Sequence, residues 1–422
     1  MAAIAAMLFK TMQLQLFNIY DKEKILYDLF RAYYAARKNK RNTINSIKFE
    51  KNFEHKIFTL HKSIIERKYK PLQSTCFISE KPVKREIFAA DFQDRIVHHL
   101  LYNYISPIFE KTFINDSYSC RIGKGTQYGI KRIDKFIRSC SLNYTIDCYI
   151  LKLDIRGYFM GINKILLYNK VKNELIKRKN VIDFDLPTVL YLLEETIFNK
   201  PTKNCIIKGK KSNWDGLPTS KSLFHTKPNC GLPIGNLTSQ LFGNVYMNQL
   251  DHFIKQHLKI KYYGRYVDDF VLIHNDIKYL QSLIEPIRTF LMKNLKLELH
   301  PKKIYLQHYK KGVKYLGAVI KPHRIYIANR TKGNFYEAIE KQNVIARDHK
   351  PSKGEQKDFL CCMNSYLGIM KHYKSYKLRK KMIFKELSAY WFNHVYMSGG
   401  ISKFVLTKRI LTKKQWKRAN MI

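Results

Sequence analysis

Two adjacent carboxylates, Asp268 and Asp269, lie between two short runs of aromatic and β-branched residues, Lys261-Tyr-Tyr-Gly-Arg-Tyr-Val267 and Phe270-Val-Leu-Ile-His274. Short apolar runs meeting at a tight polar break predict a β-hairpin. Like charges side by side on such a turn, walled by apolar side chains, repel each other. A cation beside them removes that cost, and hard divalent ions such as Mg²⁺ take oxygen ligands while leaving room for substrate phosphates. The alternative is an ordinary solvated Asp-Asp turn, and the rest of the chain has to decide between the two.

The 422 residues carry 77 Lys+Arg against 33 Asp+Glu, a formal net charge of +44. So large an excess is costly in self-repulsion unless a polyanion is the working partner. Nucleic acid suits the role, because Lys and Arg release counterions condensed on a phosphate backbone. A membrane surface suits it less, since the basic residues are spread along the chain rather than gathered beside one apolar segment. The 29 tyrosines interleave with Lys and Arg, which puts stacking surface beside basic surface, as single-stranded nucleic acid needs. The eight cysteines form no CxxC pair and no zinc spacing, so they are expected to be reduced thiols in a cytoplasmic protein. The apolar opening, Met1 to Phe9, lacks a basic leader and is cut short by Lys10; it is expected to be a helical extension rather than a secretory signal.

Apolar residues at helical spacing predict two or three packed helices over 17–70 (Ile25, Leu29, Tyr33, then Ile57, Leu60, Ile64). Thr75 to Ala90 predicts strand, turn at Lys81-Pro82, strand, with Lys81, Lys84 and Arg85 at or just past the tip. Those cations either guard a solvated edge or grip a triphosphate, for which Arg offers bidentate geometry. A helix is predicted from Asp91 to about Phe109. Gly123 and Gly125 with Arg121 and Lys124 form a basic loop that either approaches a phosphate or is a plain turn. Cys148 to Ile155 predicts a buried strand ending in Asp154, followed by a helix from Asn163 to about Lys179. Residues 201–230, rich in Pro, Gly, Lys and Ser, are expected to be a long functional or disordered insertion. The Gly231–Gln240 turn then abuts a helix. Further on come a helix over 277–294, a strand over 295–306, a hairpin over 312–327, and basic helices from about Arg330.

In this order the motifs between Lys81 and Trp391 resemble a reverse transcriptase. The resemblance implies an α+β, right-hand polymerase: a helical N-terminal extension (1–72), fingers (73–147), a palm with an antiparallel sheet (148–328), a helical thumb (329–395) and a basic tail (396–422). Asp154 resembles the first catalytic aspartate, and Tyr266-Val-Asp-Asp269 the second catalytic motif. Three carboxylates from neighbouring strands are what two-metal phosphoryl transfer needs. The family implies two Mg²⁺ ions, with Mn²⁺ as an alternative, and the Ile155 carbonyl as a further ligand. Phe159 resembles the ring that excludes a ribose 2′-hydroxyl. Lys81, Lys84 and Arg85 resemble the residues holding the incoming triphosphate. Lys303, or its neighbour Lys302, resembles the lysine that protonates pyrophosphate. Tyr315-Leu316-Gly317 resembles the primer-gripping hairpin, and Tyr266 is implied to face the same duplex.

One departure is more specific. Most reverse transcriptases have Gln at the position of Ile234 and Pro at that of Gln240; the form Ile234-Gly235-Asn-Leu-Thr-Ser-Gln240 is similar to enzymes of diversity-generating retroelements. Those make cDNA with errors opposite adenine from a template-repeat RNA. The resemblance implies template RNA, a cDNA primer and dNTPs as partners, together with a small basic helical accessory oligomer and no membrane. It implies a cytoplasmic, bacterial or phage-encoded enzyme. The basic tail, with Lys408, Arg409, Lys413, Lys414, Lys417 and Arg418, either touches RNA or accessory protein or is simply solvated. Rival readings are a retron or group II intron type of enzyme, an antiviral-defence polymerase, and a catalytically idle RNA-binding scaffold.

Overall fold

A computed structural model describes residues 22–38, 40–80 and 83–407. Lys81 and the basic tail beyond Thr407, both singled out above, lie outside the described residues. The chain separates into two compact units.

One unit comprises residues up to Gly125, Leu151–Leu272 and Lys278–Tyr305. It opens with three helices, over 22–37, Ile44–Glu50 and Phe53–Ile65. The apolar residues that predicted them, Leu29, Tyr33, Ile57, Leu60 and Ile64, are buried, and Tyr33 stacks on Phe53 with ring centroids 4.8 Å apart. Strands β1 (Thr75–Ser79) and β2 (Arg85–Ala89) pair antiparallel, as the turn signal predicts. Asp91 caps the helix Phe92–Glu110 by accepting from the Gln93 amide. That helix packs on the largely buried helix Leu237–His252.

Strand β3 (Tyr149–Leu153) runs into Asp154, and Asn163 caps the following helix, Lys164–Lys177, accepting from the Leu166 amide at 2.9 Å. The 201–230 insertion is ordered rather than loose. It contains short 3-10 turns and a two-residue strand, β4 (Ile206–Ile207), which adds to β1 in parallel. Strands β5 (Tyr262–Tyr266) and β6 (Asp269–His274) form the predicted hairpin, and the main sheet has the order β5-β6-β3-β7, with β7 at Tyr305–His308.

Two expectations for residues 277–306 need correction. The helix predicted over 277–294 is split into Ile277–Ser282 and Ile284–Leu295; Pro286 lacks an amide hydrogen and its ring crowds the carbonyl four residues back, at Ser282. The strand predicted over 295–306 is confined to β7, because Lys296 leaves the helix in a left-handed conformation (φ 51°) and Pro301 breaks the stretch between the helix and β7.

The other unit comprises Thr126–Ile150, Ile273–Ile277 and residues from Leu306 on. Where one hairpin was expected over 312–327, three strands form a meander: β8 (Val313–Tyr315), β9 (Ala318–Lys321) and β10 (Arg324–Ile327). Two left-handed turns make it, Leu316-Gly317 and the turn at His323 (φ 61°). The helix Thr126–Cys140 packs on β9. Helices Asn329–Asp348 and Lys353–Met370 enclose an apolar core in which Phe359 stacks on Trp391 at 4.1 Å. A reciprocal capping box between Ser352 and Glu355 fixes the start of the second. Strands β11 (Val395–Ser398) and β12 (Lys403–Leu406) close the described chain as a hairpin.

Candidate active site

The hairpin that carries Asp268 is held from beneath by a residue that its own sequence motif does not single out. Arg265 on β5 is fully buried. Its Nε donates to Asp251 Oδ1 at 2.7 Å and its Nη2 to Asp251 Oδ2 at 2.6 Å, while Tyr263 Oη donates to the same carboxylate at 2.6 Å. The remaining nitrogen, Nη1, donates to the Val267 carbonyl at 2.9 Å. Val267 needs that support, because its backbone is left-handed (φ 57°), an outlier for a β-branched residue. Gly264 admits Tyr118, whose hydroxyl oxygen is 2.2 Å from where a Cβ would sit. An Arg in the middle of an otherwise apolar strand was the available signal.

Asp154, Asp268 and Asp269 share one electrostatic field. Burial pushes the Asp268 carboxyl up to about 6, and the charges of Asp154 and Asp269 add to the rise. Burial likewise lifts Asp269 to about 6; Lys152 opposes the rise and Asp154 adds to it. Two lysines stand against the cluster: Lys303 Nζ is 3.1 and 3.0 Å from the Asp154 oxygens, and Lys152 Nζ is 3.0 Å from Asp269 Oδ2. As the side chains stand, no three His, Cys, Asp or Glu among the described residues converge tightly enough to hold one ion. The donor set nevertheless suits a hard cation. All three side chains offer carboxylate oxygens, two of them carry an ionisation penalty that a cation would relieve, and Asp269 Oδ1 is buried without a hydrogen-bond partner. Ile155, buried next to Asp154, bridges Leu299 across the sheet edge.

A second group of expected residues gathers around a small apolar cluster. Phe159 and Ile234 both pack, half-buried, on Cys76, Phe88, Met160 and Leu223. The Ile234 carbonyl accepts from the Phe88 amide at 2.8 Å, and Gly235 (φ 129°) lets this turn press onto β2, since a Cβ there would lie 2.9 Å from the Phe88 carbonyl oxygen. Gln240 is exposed on the helix that follows. Arg85 heads β2, exposed, and its charge is felt by the Tyr266 phenol, which burial raises and Arg85 lowers. Lys84 is turned to the insertion, donating to the Asp215 carbonyl at 2.8 Å.

The insertion packs against this cluster, through a contact that no sequence signal announces. Glu86 on β2 is buried and accepts from Trp214 Nε1 at 2.8 Å, Ser222 Oγ at 2.9 Å and the Leu223 amide at 2.6 Å. Cys205 and Trp214 pack on the same apolar cluster as Phe159 and Ile234. The Ser220 carbonyl oxygen comes within 2.5 Å of where a Cβ of Gly157 (φ 54°) would stand, two residues before Phe159.

The remaining candidates are placed differently. Arg121 spends its donors within the fold, on the Glu110 carboxylate and on the Ile114 and Ser117 carbonyls at 2.6 and 2.9 Å, and its guanidinium lies over Phe113. Lys124 donates to the Asn115 carbonyl and side chain. In the second unit, Tyr315 is buried at the end of β8, and Leu316 and Gly317 form the left-handed turn after it.

Among known proteins, the model of the family described as reverse transcriptase (RNA-dependent DNA polymerase) matches residues 81–320, more than half of the chain. Protein YkfC of Escherichia coli strain K12 is 24% identical over 257 residues, which are 53% of this chain and 60% of that protein. Among solved structures, telomerase from Candida albicans with a fragment of telomeric RNA is 12% identical, over 81% of this chain and 60% of that one, at a TM-score of 0.44. Apo telomerase from Candida tropicalis truncated from its C-terminal domain is 13% identical, over 65% and 60%, at 0.42. The chain thus spans about 60% of the length of these relatives.

Proposed function

This chain belongs to the reverse transcriptase family, and from that premise we propose that it is an RNA-directed DNA polymerase whose reaction centre is Asp154, Asp268 and Asp269. The observation that carries the proposal is the raised carboxyls of Asp268 and Asp269, each lifted by burial and further by the charge of Asp154, with a buried, unpartnered oxygen on Asp269. The three carboxylates and the Ile155 carbonyl would hold divalent ions, which when bound would activate the primer 3′-hydroxyl and neutralise the triphosphate and departing pyrophosphate. Lys303, released from Asp154, holds the proton that the pyrophosphate takes. Arg85 steadies the triphosphate, and Phe159 blocks a ribose 2′-hydroxyl. On this reading residues 73–147 are fingers, 148–328 palm and 329–395 thumb, and the substrates are template RNA, a primer and dNTPs.

The finer reading is a diversity-generating retroelement enzyme, which copies a template-repeat RNA with errors at adenine beside a basic accessory oligomer. It rests on Ile234-Gly235-Asn-Leu-Thr-Ser-Gln240. The test is primer extension on an RNA template with Mg²⁺, comparing wild type with an Asp268→Ala, Asp269→Ala double variant. Extension by wild type alone is expected, with errors concentrated opposite template adenine. Faithful copying would favour the retron or group II intron kind, and no extension by either protein would favour the scaffold.

A further inference from the structure

The second unit holds an open cleft of about 530 Å³ that the polymerase reading leaves unused. Its walls come from the end of the helix Thr126–Cys140 and the loop after it, the β9–β10 turn, and the segment following Met370. Three fixed cations, Arg138, Arg324 and Lys374, face it together with His323 and His372, against one carboxylate, Asp134. The half-buried rings of Tyr144 and Tyr373 line the same space. Tyr144 is immobilised, stacked on Tyr309 at 5.7 Å and edge-on to His323 at 4.5 Å. Arg324 is steadied over the Tyr326 ring at 4.8 Å.

A second observation bears on the same wall. Leu142, Asn143 and Tyr144 are consecutive non-glycine residues in the left-handed region (φ 47°, 59° and 74°), and His323 opposite is left-handed too (φ 61°). One left-handed residue is ordinary in a turn, whereas three in succession are disfavoured for L-residues. They persist because Ser141 fastens the turn: its Oγ accepts from the Tyr144 amide at 2.9 Å and its carbonyl from the Thr145 and Ile146 amides at 2.9 and 3.1 Å. Of these strained residues Asn143, Tyr144 and His323 line the cleft, and local bonds hold that part of its wall in one shape.

We propose that this cleft binds a single-stranded segment of RNA, its phosphates on Arg138, Arg324 and Lys374 and a base against the tyrosine wall. Cations beside aromatic rings are the surface that single strands take without sequence readout. The cleft draws on no residue of the unit that carries Asp154, Asp268 and Asp269, so its occupancy can be read with the copying site filled.

The test is binding of a labelled oligouridine of about 15 nucleotides, within the range single-strand sites cover, with unlabelled primer–template saturating the copying site. Arg138→Glu with Lys374→Glu should weaken binding about tenfold and lower the salt slope by about 1.4, the change expected when a single strand gives up two phosphate contacts. Both residues are exposed, so the fold should survive, and extension of a short pre-annealed primer should be unchanged. A 4-thiouridine probe should cross-link to the peptides bearing Tyr144 or Tyr373. Unchanged affinity, cross-links elsewhere, loss of primer extension in step with RNA binding, or equal binding of oligoglutamate would each overturn the proposal. Should wild type bind the RNA through this cleft yet extend no primer, the polymerase reaction falls and the cleft stands.

Discussion

Arg265 and Asp251 form a fully buried, doubly hydrogen-bonded ion pair that ties the reactive hairpin to the helix Leu237–His252. The pair is not a simple gain in stability, because removing two charges from water costs several kcal/mol per ion. It does set the hairpin: with Arg265 fixed at one end, its free nitrogen holds the Val267 carbonyl and so the left-handed turn that presents Asp268. Asp251→Ala leaves an uncompensated buried guanidinium and should cost roughly 3 to 5 kcal/mol, seen as a fall in denaturant midpoint with an unchanged slope. Asp251→Asn should fold better yet still lose primer extension, because one amide cannot hold the guanidinium at both nitrogens. Wild-type stability in Asp251→Ala would sink this account of the hairpin.

The raised carboxyls give a pH dependence of defined sign. Folded, Asp268 keeps its proton up to about 6; unfolded, it ionises near 3.8. The folded state therefore binds more protons between those values, and stability without metal falls as pH climbs through that window. Asp94, pushed by burial to about 7, acts in the same direction, so the informative quantity is the difference between wild type and Asp268→Asn. That substitution should stabilise the metal-free protein by roughly 1 to 3 kcal/mol at pH 8 and by almost nothing at pH 4. Thermal midpoints across that range check it. Adding Mg²⁺ should raise the wild-type midpoint and leave that of Asp268→Asn nearly unmoved. A variant less stable than wild type at pH 8 would show that the carboxylate is satisfied rather than penalised.

On the proposed reading Ile234 offers the incoming nucleotide a hydrocarbon where a polar side chain would order it. It packs on the cluster that also takes Phe159, so a change there is transmitted to the ring proposed to exclude the 2′-hydroxyl. Ile234→Gln should reduce misincorporation opposite template adenine several-fold, since one polar contact is worth on the order of 1 kcal/mol. Sequencing of cDNA from both proteins measures it. An unaltered error spectrum would remove Ile234 from fidelity and leave the retroelement reading without its main residue.

The hairpin was legible because two short apolar runs meeting at two carboxylates leave little else for that stretch to become. Asn163 was legible as a cap because its signal is local, whereas the Leu316-Gly317 turn was lost inside what reads as a single hairpin over 312–327. The Arg265–Asp251 pair was not, since its partners sit on different elements and only packing brings them together. The split at Ser282 was written in Pro286 but hidden by strong periodicity on either side. The insertion was illegible for a different reason: its order comes from neither periodicity nor turn composition but from side chains that meet one buried carboxylate.

That carboxylate, Glu86, makes the last prediction. Its two oxygens face three donors and no acceptor: the indole of Trp214, the hydroxyl of Ser222 and the amide of Leu223. Glu86→Gln is nearly isosteric but must aim an NH₂ at donors, so at least one hydrogen bond becomes a clash and another is lost. Bonds to a charged acceptor contribute about 1.5 to 3 kcal/mol each, enough to loosen the insertion without unfolding the unit, since the β1–β2 ladder that includes Glu86 is made by backbone groups and not by its carboxylate. Amide exchange over 201–230 should quicken by one to two orders of magnitude while that of β5 and β6 is unchanged. Because Ser220 abuts Gly157 and Trp214 packs behind Phe159 and Ile234, KM for dNTP should rise roughly three- to tenfold, with kcat at saturation nearly kept, the pattern of lost ground-state binding. Gly157→Ala, which drives a methyl into the Ser220 carbonyl, should raise KM in the same way without altering exchange at Trp214. If Glu86→Gln speeds exchange but leaves KM untouched, the insertion is a structural graft with no hand in shaping the nucleotide pocket.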